Sequence, residues 1–219
     1  MTDFYSEAHR TFQDAFDTRR LADRLESNIM RQALTTIDTR FVEASDMFFL
    51  STIDHNGWPT VSYKGGYPGF VKTLDDHTLA FPCYDGNGMF YSMGNITDNA
   101  KVGLLFIDFL NPRRLRMHGT AQVSADDPLI GEYKEACLIV RVAIENIFTN
   151  CARYIHNYDK TSQSKYVPTV DVETPMPDWK RVDEFQDALP AKERDNAGKA
   201  GGVITMKEYR KDYWRGLND

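Results

Sequence analysis

Met47-Phe48-Phe49-Leu50-Ser51-Thr52-Ile53, then Asp54-His55-Asn56-Gly57, then Trp58-Pro59-Thr60-Val61-Ser62-Tyr63: this stretch decides the fold class. Its first seven residues are a compact apolar run suited to a buried strand. Asn56-Gly57 accepts the positive φ of a tight turn at low cost, so the chain should return as a hairpin. Pro59 falls near the start of the returning strand, where a missing N–H does least harm. Outward from the hairpin the pattern repeats. Phe70 to Leu74 predicts a third strand, Asp75-Asp76-His77 a turn, and Thr78 to Phe81 a fourth strand. Val102 to Phe109 is the most apolar run and predicts a strand buried on both faces. Arg114 to Val123 alternates, with Leu115, Met117, Gly119 and Ala121 set against Arg114, Arg116, His118 and Thr120, which predicts one core face. Cys137 to Ile147 reads as a last long strand. Short strands, tight turns and no β-α-β alternation predict a mainly β, antiparallel barrel.

Helices are expected at the periphery. Residues 6–34 read as helical, with Ser6 as a cap, Phe12 and Phe16 on one side, and Leu21, Leu25 and Ile29 at helical spacing. Residues 1–45 would then be a helical arm lying on the body or on a second subunit. Asp38 is expected to cap a short helix through Ala44. Further helices are predicted over Met89–Ile96, from Asp126-Asp127-Pro128 through Lys134, over Lys180–Ala188 and over Met206–Trp214. Residues 46–156 make the barrel core. Residues 157–219 are polar, carry Pro168, Pro175, Pro177 and Pro190, and read as an extension wrapping the barrel or the dimer, the whole forming one structural domain.

The totals exclude several classes. A chain of 219 residues has room for one good-sized core but not for two comfortable domains. With 26 Lys+Arg against 32 Asp+Glu the net charge is −6, which argues against a general nucleic-acid partner. No apolar run approaches the roughly 20 residues of a membrane span. Met1-Thr2-Asp3-Phe4 lacks the layout of a signal peptide. Three scattered cysteines, Cys83, Cys137 and Cys151, show no metal-ligand spacing, so reduced thiols and a cytoplasmic location are expected.

Between Ser62 and Gly94 the chain gathers two lysines, many donors and several glycines: Ser62-Tyr63-Lys64-Gly65-Gly66, Gly69-Phe70-Val71-Lys72, Asp85-Gly86-Asn87-Gly88-Met89 and Ser92-Met93-Gly94-Asn95. A phosphate-bearing planar cofactor needs cations and donors for its phosphate, and glycines where backbone N–H groups must come close. Lys64 and Lys72 fit as point charges on a phosphate, or as solvated strand-end lysines. Asn87 and Ser92 fit as donors at a loop-to-helix start, or as ordinary turn and cap residues. Arg114 and Arg116 share a strand face and could meet the ring of a flavin, or form a surface salt-bridge ladder. His118, on the same face, reads as structural, and Cys151 as a packed thiol beside Arg153. Trp58, Tyr63, Tyr67 and Tyr84 could stack on a ring or pack in an interface. No nucleophile triad, metal set or paired-carboxylate motif is present.

Asp46-Met47-Phe48-Phe49-Leu50-Ser51-Thr52, Ser62 to Gly66, Gly69 to Lys72, Gly86-Asn87, Gly94-Asn95-Ile96 and Arg114-Leu115-Arg116 with Gly119, in this order and spacing, resemble the pyridoxamine 5'-phosphate oxidase-like family of FMN-binding split barrels. Phe148 to Ile155 resembles a branch of it described only as oxidase-related and flavin-nucleotide-binding. The resemblance implies a six-stranded antiparallel split β-barrel that forms a homodimer and holds FMN at each end of the subunit interface. It implies that Ser62, Tyr63, Lys64, Gly65 and Gly66 run beside the ring. It further implies that Asn87, Met89 and Ser92 lie in the phosphate loop, and that Arg114 or Arg116 approaches the pyrimidine end. The activity implied is an oxidoreductase, with hydride transfer between a small-molecule substrate or nicotinamide cofactor and flavin N5. Two alternatives stand beside it: a genuine pyridoxamine or pyridoxine 5'-phosphate oxidase, and a non-catalytic flavin- or haem-binding protein. The sequence departs from the true oxidases in the phosphate loop, where Asp85-Gly86-Asn87-Gly88 replaces an Arg-Lys pair. It departs again at the C-terminus, where Tyr213 to Asp219 is not their basic tail.

Overall fold

Seven antiparallel strands run in the order β2-β1-β5-β6-β7-β4-β3 in the computed structural model, which describes residues 4–213. They are β1 (Met47–Ile53), β2 (Pro59–Gly65), β3 (Lys72–Asp75), β4 (Thr78–Tyr84), β5 (Lys101–Asp108), β6 (Arg113–Ser124) and β7 (Ala136–Thr149). The hairpin expected at Asn56-Gly57 forms, with Gly57 at φ 84° and β1 paired to β2 from Met47↔Gly65 to Ile53↔Pro59. The resemblance implied six strands. The seventh is the short β3, which pairs with β4 through Lys72↔Ala80 and Thr73↔Leu79 and so prolongs the sheet at that edge.

The sheet curls because its inward side chains find one another. Phe48 on β1 stacks on Phe106 of β5 at 5.0 Å, and also meets Phe81 of β4 edge-on at 5.0 Å. Three strands separate β1 from β4 in the ladder, so their rings can touch only if the sheet closes on itself. Leu50, Leu79, Leu104, Met117, Val140 and Val142 fill the same interior. Successive strands β2 and β3 are the two free edges, and residues 66–71 cross between them, which makes the barrel split. Val102, Leu104 and Phe106 are buried while Gly103, Leu105 and Ile107 are half-exposed, so β5 is buried on one face rather than two. Leu115, Met117, Gly119 and Ala121 face inward as the alternation predicts.

The helices differ from expectation in detail. The arm breaks into α1 (Glu7–Ala15) and α2 (Arg19–Ile29), because Asp17 takes a left-handed φ of 52° that ends the first helix. In α3 (Thr36–Ala44) the cap is Thr35, and Asp38 is the third helical residue of a capping box; its carboxylate accepts from the Thr35 N–H and pairs with Arg31. Burial pushes the Asp38 carboxyl up, but the bonds from Arg31 and Thr35 outweigh it and hold the group below the usual range. α4 spans Tyr91–Asp98, and the helix expected after Asp126 is only a 3-10 turn over Pro128–Glu132. Among the described residues no helix is long and apolar enough to cross a membrane.

The chain divides into two compact units, Met1–Thr161 and Ser162–Asp219. The second contains 3-10 turns over Asp178–Arg181 and Asp183–Phe185 where one helix was expected, then α5 (Asn196–Lys199) and α6 (Met206–Tyr213). It is held by a bridge between Val182 and Ile204 and by a buried ion pair, Lys180 Nζ to Glu193 Oε2 at 2.8 Å. The Met1-Thr2-Asp3 start, the Trp214 end of the last predicted helix and the tail to Asp219 lie outside the described residues.

If the aromatic cluster is what closes the barrel, Phe48→Ala should cost about 3–5 kcal/mol. Urea unfolding read by far-UV circular dichroism measures this, and a loss below 1 kcal/mol would leave closure to other contacts.

Candidate functional site

Opposed residues of a hairpin share a face, so Thr60, Ser62 and Lys64 point inward with their partners Thr52, Leu50 and Phe48. β2 is an edge strand, and these three polar side chains stand at the open side of the barrel. α4 docks on them. Ser62 Oγ and Ser92 Oγ lie 2.6 Å apart, the Thr52 and Thr60 hydroxyls 2.8 Å apart, and Asn95 Nδ2 donates to Thr52 Oγ1 at 3.0 Å. Tyr91 Oη donates to Asp54 Oδ2 at 2.9 Å, and the other Asp54 oxygen accepts the N–H groups of Trp58 and Asn56. These bonds, the Trp58 N–H foremost, hold the Asp54 carboxyl below the usual range. The start of α4 is thereby fixed against the β1-β2 hairpin.

That helix start is unusual. Its N-cap is Phe90, at a left-handed φ of 47°, with no side-chain oxygen to take the first free N–H groups. Two residues along β2 from Ser62, Lys64 is half-buried, and burial pulls its ammonium below the usual lysine value. Among the described residues no carboxylate acts on it; the group felt across the split is the thiol of Cys83 on β4. A desolvated cation and a hydroxyl therefore share the inner face of β2, and that hydroxyl meets Ser92 in the first turn of an uncapped helix, a set of groups that suits an anion.

The remaining expected residues fall elsewhere. Tyr63 points outward, and cross-strand pairing sets Tyr63, Phe49, Leu105, Arg116 and Phe148 in one row on the barrel exterior. Arg114 shares that exterior, with its Nε buried and unpartnered. Within one chain, the arginines and Lys64 thus occupy opposite faces of the sheet. Lys72 is drawn away from Lys64: it pairs with Glu132 and lies over the Tyr133 ring at 5.1 Å. A Cβ on Gly66 would come within 2.3 Å of Phe70, and one on Gly65 within 2.7 Å of Tyr63, so both glycines make room for this chain's own rings. Asn87 closes a turn on the Met89 N–H at 3.1 Å, and both residues are exposed.

His118 packs edge-on against Phe148 at 5.3 Å, and burial, then Arg116, lower its pKa against the pull of Glu145. Cys151 is exposed rather than packed. Cys83, Thr52, Asp54 and Tyr91 belong to the site's surroundings and were not anticipated. Strand alternation could have put Thr52 on the inner face, whereas nothing local in the sequence reports that β4 faces β2. Among the described residues no group of three or more His, Cys, Asp or Glu could hold a metal ion.

The family model for pyridoxamine 5'-phosphate oxidase matches residues 38–165. The chain belongs to the pyridoxamine 5'-phosphate oxidase family. No curated protein matches it. Among solved structures, HupZ from Group A Streptococcus shares 19% identity over 57% of this chain and 100% of its own, with a TM-score of 0.45. A Lactobacillus delbrueckii protein provisionally described as a pyridoxamine 5'-phosphate oxidase shares 25% over 54% and 95%, with a TM-score of 0.45. An FMN-binding protein from Syntrophomonas wolfei shares 12% over 64% and 97%, with a TM-score of 0.38.

Two outcomes follow from the site's framework. Asn95→Ala removes a buried donor while the Thr52 hydroxyl keeps Thr60 as its partner, so the change should cost about 0.5–1.5 kcal/mol in chemical denaturation. His118 has a folded pKa below the ordinary 6.5, so its contribution to stability is complete above that pH and is lost as pH falls through the folded value. His118→Gln should flatten the fall in melting temperature over that acidic window, and an unchanged profile would assign the fall to other groups.

Proposed function

We propose that this chain binds FMN and works, as a homodimer, as an oxidoreductase on a small-molecule substrate or a nicotinamide cofactor. The observation that carries this is Lys64, a half-buried cation on which no carboxylate of the described residues acts, on the same strand as Ser62, whose hydroxyl meets Ser92 at the uncapped start of α4. Membership of the family supports FMN as the anion's bearer. The residues fit its phosphate: Lys64 offers charge, Ser62 and Ser92 offer hydroxyls, and the first N–H groups of α4 offer donors. With Asp85-Gly86-Asn87-Gly88 in the exposed loop, that loop adds no cation to the one Lys64 supplies from the same chain. When bound, FMN supplies two-electron redox chemistry at its ring, and the protein contributes binding, orientation and electrostatics.

The homodimer is supported by the barrel exterior. Val61, Tyr63 and Trp58 are 68%, 63% and 70% exposed, next to half-exposed Phe49 and Leu105 on the same strands or their neighbours. Exposed apolar surface of this kind marks an interface, and a second copy would cover it. Two copies would also bring the exterior arginines of one chain toward the cleft of the other, reconciling their opposite placement within a single chain.

The test is thermal stability with and without FMN. At a hundredfold excess over Kd, ligand binding should add about 2.7 kcal/mol of stability. Lys64→Met should leave the apo-protein at least as stable, because it removes a desolvated charge, and should abolish most of the FMN-dependent shift. A parent chain that gains nothing from FMN, or a variant that gains as much as the parent, would overturn the assignment.

A further inference from the structure

Cys83 and Cys137 lie 54 positions apart in the sequence, and the fold brings them together. They occupy neighbouring strands at a break in register: Cys83 pairs with Leu138 and Tyr84 with Ala136, so Cys137 is the extra residue of a β-bulge. Cys137 Sγ donates to the Cys83 carbonyl at 3.0 Å, and Cys83 Sγ to the carbonyl of the next residue, Tyr84, at 3.7 Å. Both are partly buried and unbridged, whereas Cys151 is exposed. The bulge sets Cys137 one residue from the partner that faces Cys83, and its Sγ already reaches the Cys83 backbone, so only a local adjustment separates the pair from the roughly 4.4–6.8 Å between Cα atoms that a disulfide requires.

We propose that Cys83 and Cys137 form a reversible redox pair that closes to an intrachain disulfide. The oxidant is a peroxide or a diazene. Two S–H bonds break and one S–S bond forms; the two electrons and two protons pass to the O–O bond of the peroxide, giving water, or to the N=N bond of the diazene, giving a hydrazine. A dithiol reductant reverses the step by thiol–disulfide exchange. Burial, then the neighbouring Cys137 thiol, pushes the Cys83 thiol up to about 11. Cys83 is therefore protonated at neutral pH, and closure through its thiolate is faster as pH rises, since the thiolate is the attacking species. Because Cys83 also faces Lys64, closure fixes the wall of the cleft opposite β2. The pair acts whether or not FMN is bound.

The experiment uses the full chain carrying Cys151→Ser, so that only the pair reports. Before oxidation, N-ethylmaleimide in denaturant should add to both thiols. After diamide it should add to neither, with the intact mass lower by two hydrogens and a Cys83–Cys137 crosslinked peptide on digestion; dithiothreitol should restore both adducts. The count should fall faster at pH 9 than at pH 7. Adding Cys137→Ser should leave Cys83 fully alkylated after the same treatment. Two adducts surviving diamide, or a crosslink that joins two chains instead, would overturn the proposal.

Discussion

The contact of Phe48 with Phe81 is the constraint on which the rest depends. β1 and β4 share no ladder, so this contact exists only in a closed sheet, and it fixes how far the sheet curls. The curl decides where the free edges stop. β3 ends after pairing with Ala80 and Thr78, while β4 continues to Tyr84. The last part of β4 is thus left facing β2 across a gap. Lys64 and Cys83 meet there for geometric reasons that neither residue's neighbours in sequence supply.

Placing an ammonium in that gap opposes folding unless something offsets its desolvation. Packed cores reject lone charges, and among the described residues no carboxylate acts on Lys64, although one pairs with each of Lys72, Arg31 and Arg141. The contrast separates a cation used for architecture from one kept ready. Arg141, for example, is held by both oxygens of Asp127, and each partner is thereby committed.

Much of the fold was legible in the sequence because it rests on local signals. The Asn-Gly turn, the alternation from Leu115 to Ala121 and the run from Met47 to Ile53 each specify an element without reference to others. The expectations that missed depended on tertiary context. Asp38 looks like a cap, but Thr35 three residues earlier offers a hydroxyl with the right reach, and Arg31 claims the Asp38 carboxylate. The apolar run in β5 reads as two-sided burial, yet its second face carries Leu105 and Ile107 on the exterior. Within the candidate site, which residues share a face depends on strand pairing as well as on order in the sequence. Strand alternation alone sends Tyr63 and Lys64 to opposite faces, and Lys72 is separated from Lys64 by the split itself.

The two N-terminal helices bury none of their residues, and Phe12, Phe16, Leu21 and Leu25 all remain exposed. Little of the chain's folding free energy is therefore invested in them. Their backbone amides should trade protons with solvent through small local openings, long before the barrel strands release theirs. A mixed pattern of isotope uptake would follow, fast over residues 7–29 and slow over β1, β5 and β6.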